Sequence, residues 1–285
     1  MTIEKLTFGY ENTLVFEDLT IELTRGKIYG LVGPNGIGKT TLISLLSGIQ
    51  RNYRGSIKGI ERPGLLLQNT SFYDNLTGQE NLRLVCNDKQ IHHDRAEEVL
   101  RLVAIRPALA KQKFKTYSQG YRQRLGIARS LLTDSDLVLL DEPFTAVDVE
   151  TIGIIKKAIV RYVAKTGKTI ILSSHQLREI EDILDLILLV KDRKLISLQS
   201  DEWVSGNKGA HQIFVTFPAS HNTVEALRAC RQIKEMQAVQ EIIRIQLEDG
   251  CTISDLLAYM EERQLAWKRI DRKMPLEFLY ATHSA

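Results

Sequence analysis

The segment Gly33-Pro34-Asn35-Gly36-Ile37-Gly38-Lys39-Thr40-Thr41 decides how the rest of the chain is read. It has the form G-x-x-x-x-G-K-[ST], a loop that cradles phosphate. An apolar run, Ile28 to Val32, precedes it, and an apolar periodic run, Leu42 to Leu46, follows. That order predicts strand, loop and helix. Glycines let the backbone wrap tightly and point its N–H groups at phosphate oxygens. The helix that starts there adds the positive end of its dipole. Lys39 has the reach for β- and γ-phosphates, and the Thr40 hydroxyl can ligate Mg²⁺. The loop predicts binding of a nucleoside triphosphate. Taken alone, it leaves kinases, GTPases, helicases and transport ATPases open.

The chain has 285 residues, enough for one large or two modest domains. Hydrophobic residues make up 44% and charged residues 26%, which leaves ample material for a buried core. A net charge of +3 is too mild to argue for nucleic acid. Cys86, Cys230 and Cys251 are scattered, odd in number and form no C-x-x-C, so a reducing compartment is expected and a zinc site is not. Met1 to Lys5 lacks the apolar core of a signal peptide. Ile183 to Val190, the most apolar stretch, is too short to span a bilayer and contains Asp185. A soluble chain is expected, with any membrane span supplied by another protein.

Around the loop, Ile3, Leu6, Phe8 and then Leu19, Ile21, Leu23 read as two strands about a Glu11-Asn12-Thr13 turn. Ser56–Ile60 and Leu65–Leu67 read as short strands. Helical texture runs from Thr77 to about Ala110, opened by the capping box Thr77-Gly78-Gln79-Glu80. Ser118 opens a helix through Leu132. Leu137–Leu140 is a continuous apolar run, as in a buried parallel strand. Ile152–Ala164 reads as helix, Thr169–Ser173 as strand, and Gln176–Leu184 as helix. Leu186–Val190 and Leu195–Leu198 form a hairpin about Asp192-Arg193. Alternating strands and helices indicate an α/β layered sheet. Ser205-Gly206-Asn207-Lys208-Gly209 reads as a linker. Beyond it, strand 212–217, helix 223–230, an alternating run Ala238–Leu247 kinked near Glu241, helix 252–265 and strand 267–270 suggest a small βαββαβ sandwich. A last helix covers Leu276–Tyr280.

The strand Leu137–Leu140 ends in Asp141-Glu142. Asp141 stands where a Mg²⁺ ligand is needed, and Glu142 points the other way, able to polarise a water for in-line attack on a γ-phosphate. A plain turn before Pro143 is the competing reading. Tyr117-Ser118-Gln119-Gly120-Tyr121-Arg122-Gln123-Arg124-Leu125 resembles the signature motif of ATP-binding cassette (ABC) ATPases, commonly written L-S-G-G-Q followed by Q-R-hydrophobic. The family's other motifs follow in order. Tyr10 matches the aromatic that stacks on adenine, Gln68 the Q-loop, Thr145-Ala146-Val147-Asp148 the D-loop, and His175 the switch histidine. The likeness covers roughly residues 1–200.

The resemblance implies an α/β P-loop NTPase core of ABC-ATPase type, a mixed sheet with helices plus a helical subdomain, over 1–205. The helical subdomain would span about 77–132, and a small α+β C-terminal domain 211–285. It implies ATP and Mg²⁺ as cofactors. Gly33 to Thr41 would bind phosphates, and Thr40, Gln68 and Asp141 would arrange the metal. Glu142 would activate water with Gln68 and His175 beside it in the catalytic set, His175 contacting the γ-phosphate. Ser118, Gln119, Gly120 and Asp148 would serve nucleotide held by an opposing subunit, so a homodimer or a heterodimer with a second cassette is implied. Gln119 and Tyr117 depart from the common motif, but exporting cassettes for drugs, peptides and bacteriocins often carry a Y-S-x-G form. The D-loop lacks the usual Gly-Leu before Asp148. Partners would be integral-membrane transporter subunits at the cytoplasmic face of the cell membrane. Phe72, Tyr73 and Leu76 would contact them through a groove. Met274-Pro275-Leu276-Glu277-Phe278-Leu279-Tyr280 resembles the ending of exporter-type cassettes. Cassettes that drive ribosome- or DNA-associated machines are the competing class. The first normally pairs two cassettes in one chain, and the second splits its cassette with coiled coils, neither of which is seen. His92-His93 and Lys111 to Lys115 read as solvated surface, and no nucleic acid is expected.

Overall fold

The computed structural model describes residues 1–11, 13–68, 70–86, 93–199, 212–218, 221–271 and 276–282. Asn12, His92, the Ser205–Gly209 linker and Met274-Pro275 of the tail lie outside them. The chain divides into two compact units, Met1–Ser197 and Leu198–Ala285.

In the first unit, β1 (Thr2–Tyr10), β2 (Thr13–Glu22) and β4 (Arg54–Lys58) form an antiparallel sheet ordered β2-β1-β4. A six-stranded sheet is ordered β5-β6-β7-β3-β8-β9. Its strands are β3 (Ile28–Val32), β5 (Gly64–Leu66), β6 (Leu137–Leu140), β7 (Thr169–Ser174), β8 (Leu186–Lys191) and β9 (Lys194–Gln199). The first five run parallel. Every residue of β3, β6 and β7 is buried, which explains the apolar runs at Ile28–Val32, Leu137–Leu140 and Ile170–Leu172. Phe8 and Phe16 of the antiparallel sheet share one core with Leu31, Leu139, Ile171 and Leu188 of the other. Leu42 and Ile43 of α1 (Lys39–Leu46) join that core. Asp192 and Arg193 turn β8 into β9 at positive φ (47° and 64°), as a two-residue hairpin requires.

The helical stretch after Thr77 is divided into α2 (Gly78–Cys86), α3 (His93–Leu102) and α4 (Pro107–Ala110), then α5 (Gln119–Leu131). The capping box forms as read. Thr77 N–H donates to Glu80 Oε2 at 2.7 Å, and Glu80 N–H to Thr77 Oγ1 at 3.1 Å. Asn81, 4% exposed, staples the preceding loop. Its Oδ1 accepts Tyr73 N–H (2.8 Å), and its Nδ2 donates to the carbonyls of Tyr73 (3.1 Å) and Thr77 (3.0 Å). Asn81→Ala strands those groups and is expected to destabilise the unit by about 1–3 kcal/mol. A thermal melt reads the loss, and hydrogen exchange at the Tyr73 amide should accelerate. An unchanged melting temperature and an unchanged exchange rate would remove Asn81 from this role.

Two expectations need correction. Gln176–Leu184 is no α-helix but two 3₁₀ turns, Leu177–Glu179 and Glu181–Ile183, broken at Ile180. Leu177 and Ile180 are both buried, and their three-residue spacing suits i→i+3 bonding, with Ile180 N–H donating to Leu177 O at 3.0 Å. The first of the two strands read in Ala238–Leu247 starts earlier, at Ile233, and the kink near Glu241 is a turn. The run is the end of β11 (Ile233–Val239) and all of β12 (Ile242–Leu247), turned at Gln240 with φ 54°. Apolar alternation continues across the turn because both strands face one core.

The second unit follows the expected α+β order. It comprises β10 (Gln212–Thr216), α7 (His221–Arg228), β11, β12, α8 (Ile253–Glu262), β13 (Arg269–Asp271) and α9 (Leu276–Thr282). The antiparallel sheet is ordered β11-β12-β10-β13. Ile213, Val215, Ile243 and Ile245 meet Leu227 of α7 and Leu256 and Met260 of α8 in one core. Phe278 of α9 packs edge-on against Phe214, their ring centroids 5.2 Å apart.

Candidate nucleotide site

Four neighbouring parallel strands, β5, β6, β7 and β3, carry the candidate residues at or just past their carboxyl ends, where open α/β sheets bind ligands. β3 runs into the loop Gly33–Gly38, and α1 begins at Lys39. Gly38 caps α1 with φ 113°, and a β-carbon there would lie 2.8 Å from Val15 Cγ1 and 3.0 Å from the Phe16 ring, so only glycine fits. Pro34, Asn35, Gly36 and Thr40 are exposed, and Ile37 and Thr41 half-buried. Lys39 is only 6% exposed. Its Nζ donates to Gly33 O at 2.7 Å and Pro34 O at 3.1 Å, and stands 3.8 Å from Glu142 Oε1. Burial lowers the Lys39 pKa, while the Glu142 and Asp141 carboxylates pull it back up.

Asp141 and Glu142 follow β6 and are 1% and 8% exposed. Thr40 Oγ1 donates to Asp141 Oδ2 at 2.9 Å, and Ser173 Oγ, on β7, donates to Asp141 Oδ1 at 2.7 Å. Asp141 N–H donates to Leu66 O at 2.9 Å, fastening the ends of β5 and β6. Glu142 takes a left-handed φ of 49° and donates its N–H to Ser173 Oγ at 2.8 Å. Its Oε2 lies 2.9 Å from His175 Nδ1 and accepts from Thr145 Oγ1 at 3.4 Å. Lys39, Thr40, Asp141, Glu142 and His175 therefore stand together. Glu179, four residues past His175, was not foreseen; burial pushes its carboxyl up against the pull of His175.

Two residues stand apart from this cluster. Gln68 is exposed two positions beyond β5, and no hydrogen bond among the described residues joins it to Thr40 or Asp141. Tyr10, at the end of β1, is half-exposed, its ring edge-to-face with buried Phe8 at 4.9 Å.

The signature residues form a second group. Ser118 is the N-cap of α5 and accepts Tyr121 N–H at 3.4 Å. Asp148 caps α6 (Val149–Thr166), its carboxylate accepting Thr151 N–H at 2.8 Å and Thr151 Oγ1 at 3.2 Å, and the backbone bond lowers its pKa. A β-carbon on Gly120 would come within 2.8 Å of Thr151 Oγ1, so the two helix starts pack closely. Ser118, Gly120 and Asp148 line one pocket, together with Tyr121 and Arg124, and Gln119 is exposed beside it. Among the described residues no hydrogen bond joins this group to the phosphate loop. α5 reaches the first cluster only indirectly, through Gln123 Nε2 on Pro143 O at 2.8 Å.

A profile of the ABC transporter family matches residues 16–145, which include the phosphate loop, the signature helix and Asp141-Glu142. Over 224 residues the chain is 35% identical to the uncharacterized ABC transporter ATP-binding protein YcbN of Bacillus subtilis (strain 168), spanning 74% of this chain and 73% of that one. The chain belongs to the ABC transporter family. It is an ATP-binding ABC ATPase subunit. It is also 34% identical over 206 residues to the bacitracin transport ATP-binding protein BcrA of Enterococcus faecalis, covering 68% of this chain and 67% of that one. Among solved structures, the ATP-binding subunit of an ABC transporter superposes with a TM-score of 0.61 at 25% identity, over 70% of this chain and 90% of that one. No helix among the described residues is long and apolar enough to cross a membrane.

A broad groove of about 1420 Å³ opens between the β4–β5 region and the helices, lined in part by Arg62, Phe72, Tyr73, Leu84 and Arg129. Arg129 stacks over the Phe72 ring at 5.5 Å and donates to Ser71 O at 2.9 Å. Tyr73 and Leu84 are exposed. Leu76 does not line the groove. It is half-buried, and its carbonyl accepts Phe114 N–H at 2.8 Å, holding the loop onto the helical part.

Proposed function

We propose that this chain dimerises around ATP and powers export through separate membrane subunits. The observation that carries the reading is the division of the candidate site. The phosphate loop and its carboxylates form one cluster, and Ser118, Gly120 and Asp148 form another, with no hydrogen bond between them among the described residues. Each cluster is half of a site, completed by a second copy or a close relative. Residues 1–205 then make the nucleotide-binding domain, with its helical subdomain at about 77–132, and 211–285 a small C-terminal domain. The groove carrying Phe72 and Tyr73 faces the membrane subunits at the cytoplasmic side of the membrane. The lean to export rests on the Tyr117-to-Gly120 form, the tail and the likeness to a bacitracin transport protein.

The loop amides of Gly33–Thr41 and Lys39 hold the phosphates, and Tyr10 offers its exposed ring to the base. Among the described residues no three ligating side chains cluster as a metal cage. Thr40 and Asp141 offer two oxygens, which suits a Mg²⁺ that takes its remaining ligands from phosphate and water, with Gln68 close by in sequence to β5. When bound, that ion neutralises charge on the phosphate oxygens. Glu142 takes a proton from the attacking water as the bond from γ-phosphorus to the β-bridging oxygen breaks. His175 Nδ1 orients Glu142 and brings its ring to the γ-phosphate. The partner's Ser118-capped helix start, with Gln119, Gly120 and Asp148 around it, closes over the same phosphate.

Mixing two defective chains tests the composite site. Lys39→Ala and Ser118→Arg chains should each be inactive. Mixed, they should regain turnover, because each mixed dimer keeps one site with an intact Lys39 opposite an intact Ser118. A mixture no more active than its components would contradict the two-chain site.

A further inference from the structure

We propose that Ser173 is a positioning residue for ATP hydrolysis, a single hydroxyl that locks the Asp141 carboxylate to the Glu142 backbone. The proposal rests on the reading of Asp141 as the residue facing the metal and Glu142 as the group that activates water. Ser173 is fully buried on β7, two residues before His175. Its Oγ donates to Asp141 Oδ1 at 2.7 Å and accepts Glu142 N–H at 2.8 Å. With Thr40 Oγ1 on Oδ2 at 2.9 Å, each oxygen of Asp141 carries one donor, which fixes the rotation of the carboxylate.

The second bond acts on Glu142. A non-glycine residue at φ 49° persists only where its surroundings hold it. The 141–142 backbone is held at two points, by Asp141 N–H on Leu66 O and by Glu142 N–H on Ser173 Oγ. The side chain of Glu142 leaves this fixed point toward Lys39, Thr145 and His175. Without the hydroxyl, a buried N–H loses its acceptor and Oδ1 its donor. Glu142 is then free to leave the left-handed region, and its carboxylate moves away from the water. Among the described residues Ser173 has no hydrogen bond to the phosphate loop or Lys39, so it reaches bound ATP only through Asp141, whose other oxygen Thr40 still holds. The change belongs in kcat, not in KM.

The test compares Ser173→Ala, Ser173→Thr and Glu142→Gln in the full chain, reading kcat and KM for ATP at saturating Mg²⁺, together with melting temperature. Ser173→Ala should lower kcat about ten-fold or more, the scale on which small misplacements of a catalytic group cost rate. KM should stay within about two-fold, because the binding contacts are intact. Ser173→Thr restores the hydroxyl and should recover most of the turnover. If the alanine chain does not fold, Ser173→Cys keeps the volume with a weak donor and should show the same loss of kcat. Wild-type kcat in the alanine or cysteine chain beside an inactive Glu142→Gln overturns the role of Ser173 alone. Equal losses in kcat and melting temperature with no recovery by threonine would make it a packing residue. An active Glu142→Gln would instead overturn the reading on which the proposal rests.

Discussion

Glu142→Gln is expected to lower ATP turnover by about a hundred-fold or more, the contribution typical of a general base, while ATP still binds. Glutamine has the size of glutamate and can keep an oxygen toward His175 Nδ1 and Thr145 Oγ1. It cannot take the proton of the attacking water. It also removes a negative charge beside the bound γ-phosphate, so ATP affinity should hold or rise. The measurement is steady-state phosphate release beside equilibrium ATP binding on the same preparation. Normal turnover would contradict the assignment of Glu142 as the base.

Lys39→Ala should weaken ATP binding itself. Losing a hydrogen bond from a charged group costs roughly 1.5–3 kcal/mol, or about 10- to 150-fold in dissociation constant. The loss has a second source. Lys39 is the cation beside Glu142 and is also close enough to Asp141 to feel its charge. Removing it leaves two nearly buried carboxylates facing the incoming phosphates without that neutralising charge. Calorimetric titration of ATP reads the effect, and unchanged affinity would contradict the role given to the loop. The two variants thus separate binding from chemistry: Lys39→Ala should fail at the first step and Glu142→Gln at the second.

The ends of β3 and β6 were legible because each is an apolar run that stops at a glycine loop or a charged residue. Ile28–Val32 before Gly33 and Leu137–Leu140 before Asp141 show this directly. Ser118 was legible as a helix cap, and Thr77 with Glu80 as a capping box, because those bonds are local in sequence. Ser173 was not, because its significance lies in partners 31 and 32 residues away. Its one signal is a hydroxyl directly after the apolar run Ile170–Leu172 of a buried strand, a position where a polar group needs a partner. Leu76 and Gln68 mark the same boundary. Sequence placed both near the right elements, but which surface a loop residue faces depends on the fold around it. The hairpin at Gln240 was legible only as a kink near Glu241, because its turn carries neither glycine nor asparagine.

In the proposed dimer, ATP joins two half-sites from two chains. Sedimentation of the full-length Glu142→Gln chain with saturating ATP and Mg²⁺ tests it most directly. A dimer holding two ATP molecules is expected, falling to monomers when ADP replaces ATP. A chain that binds one ATP and stays monomeric at every concentration would contradict the proposed dimer.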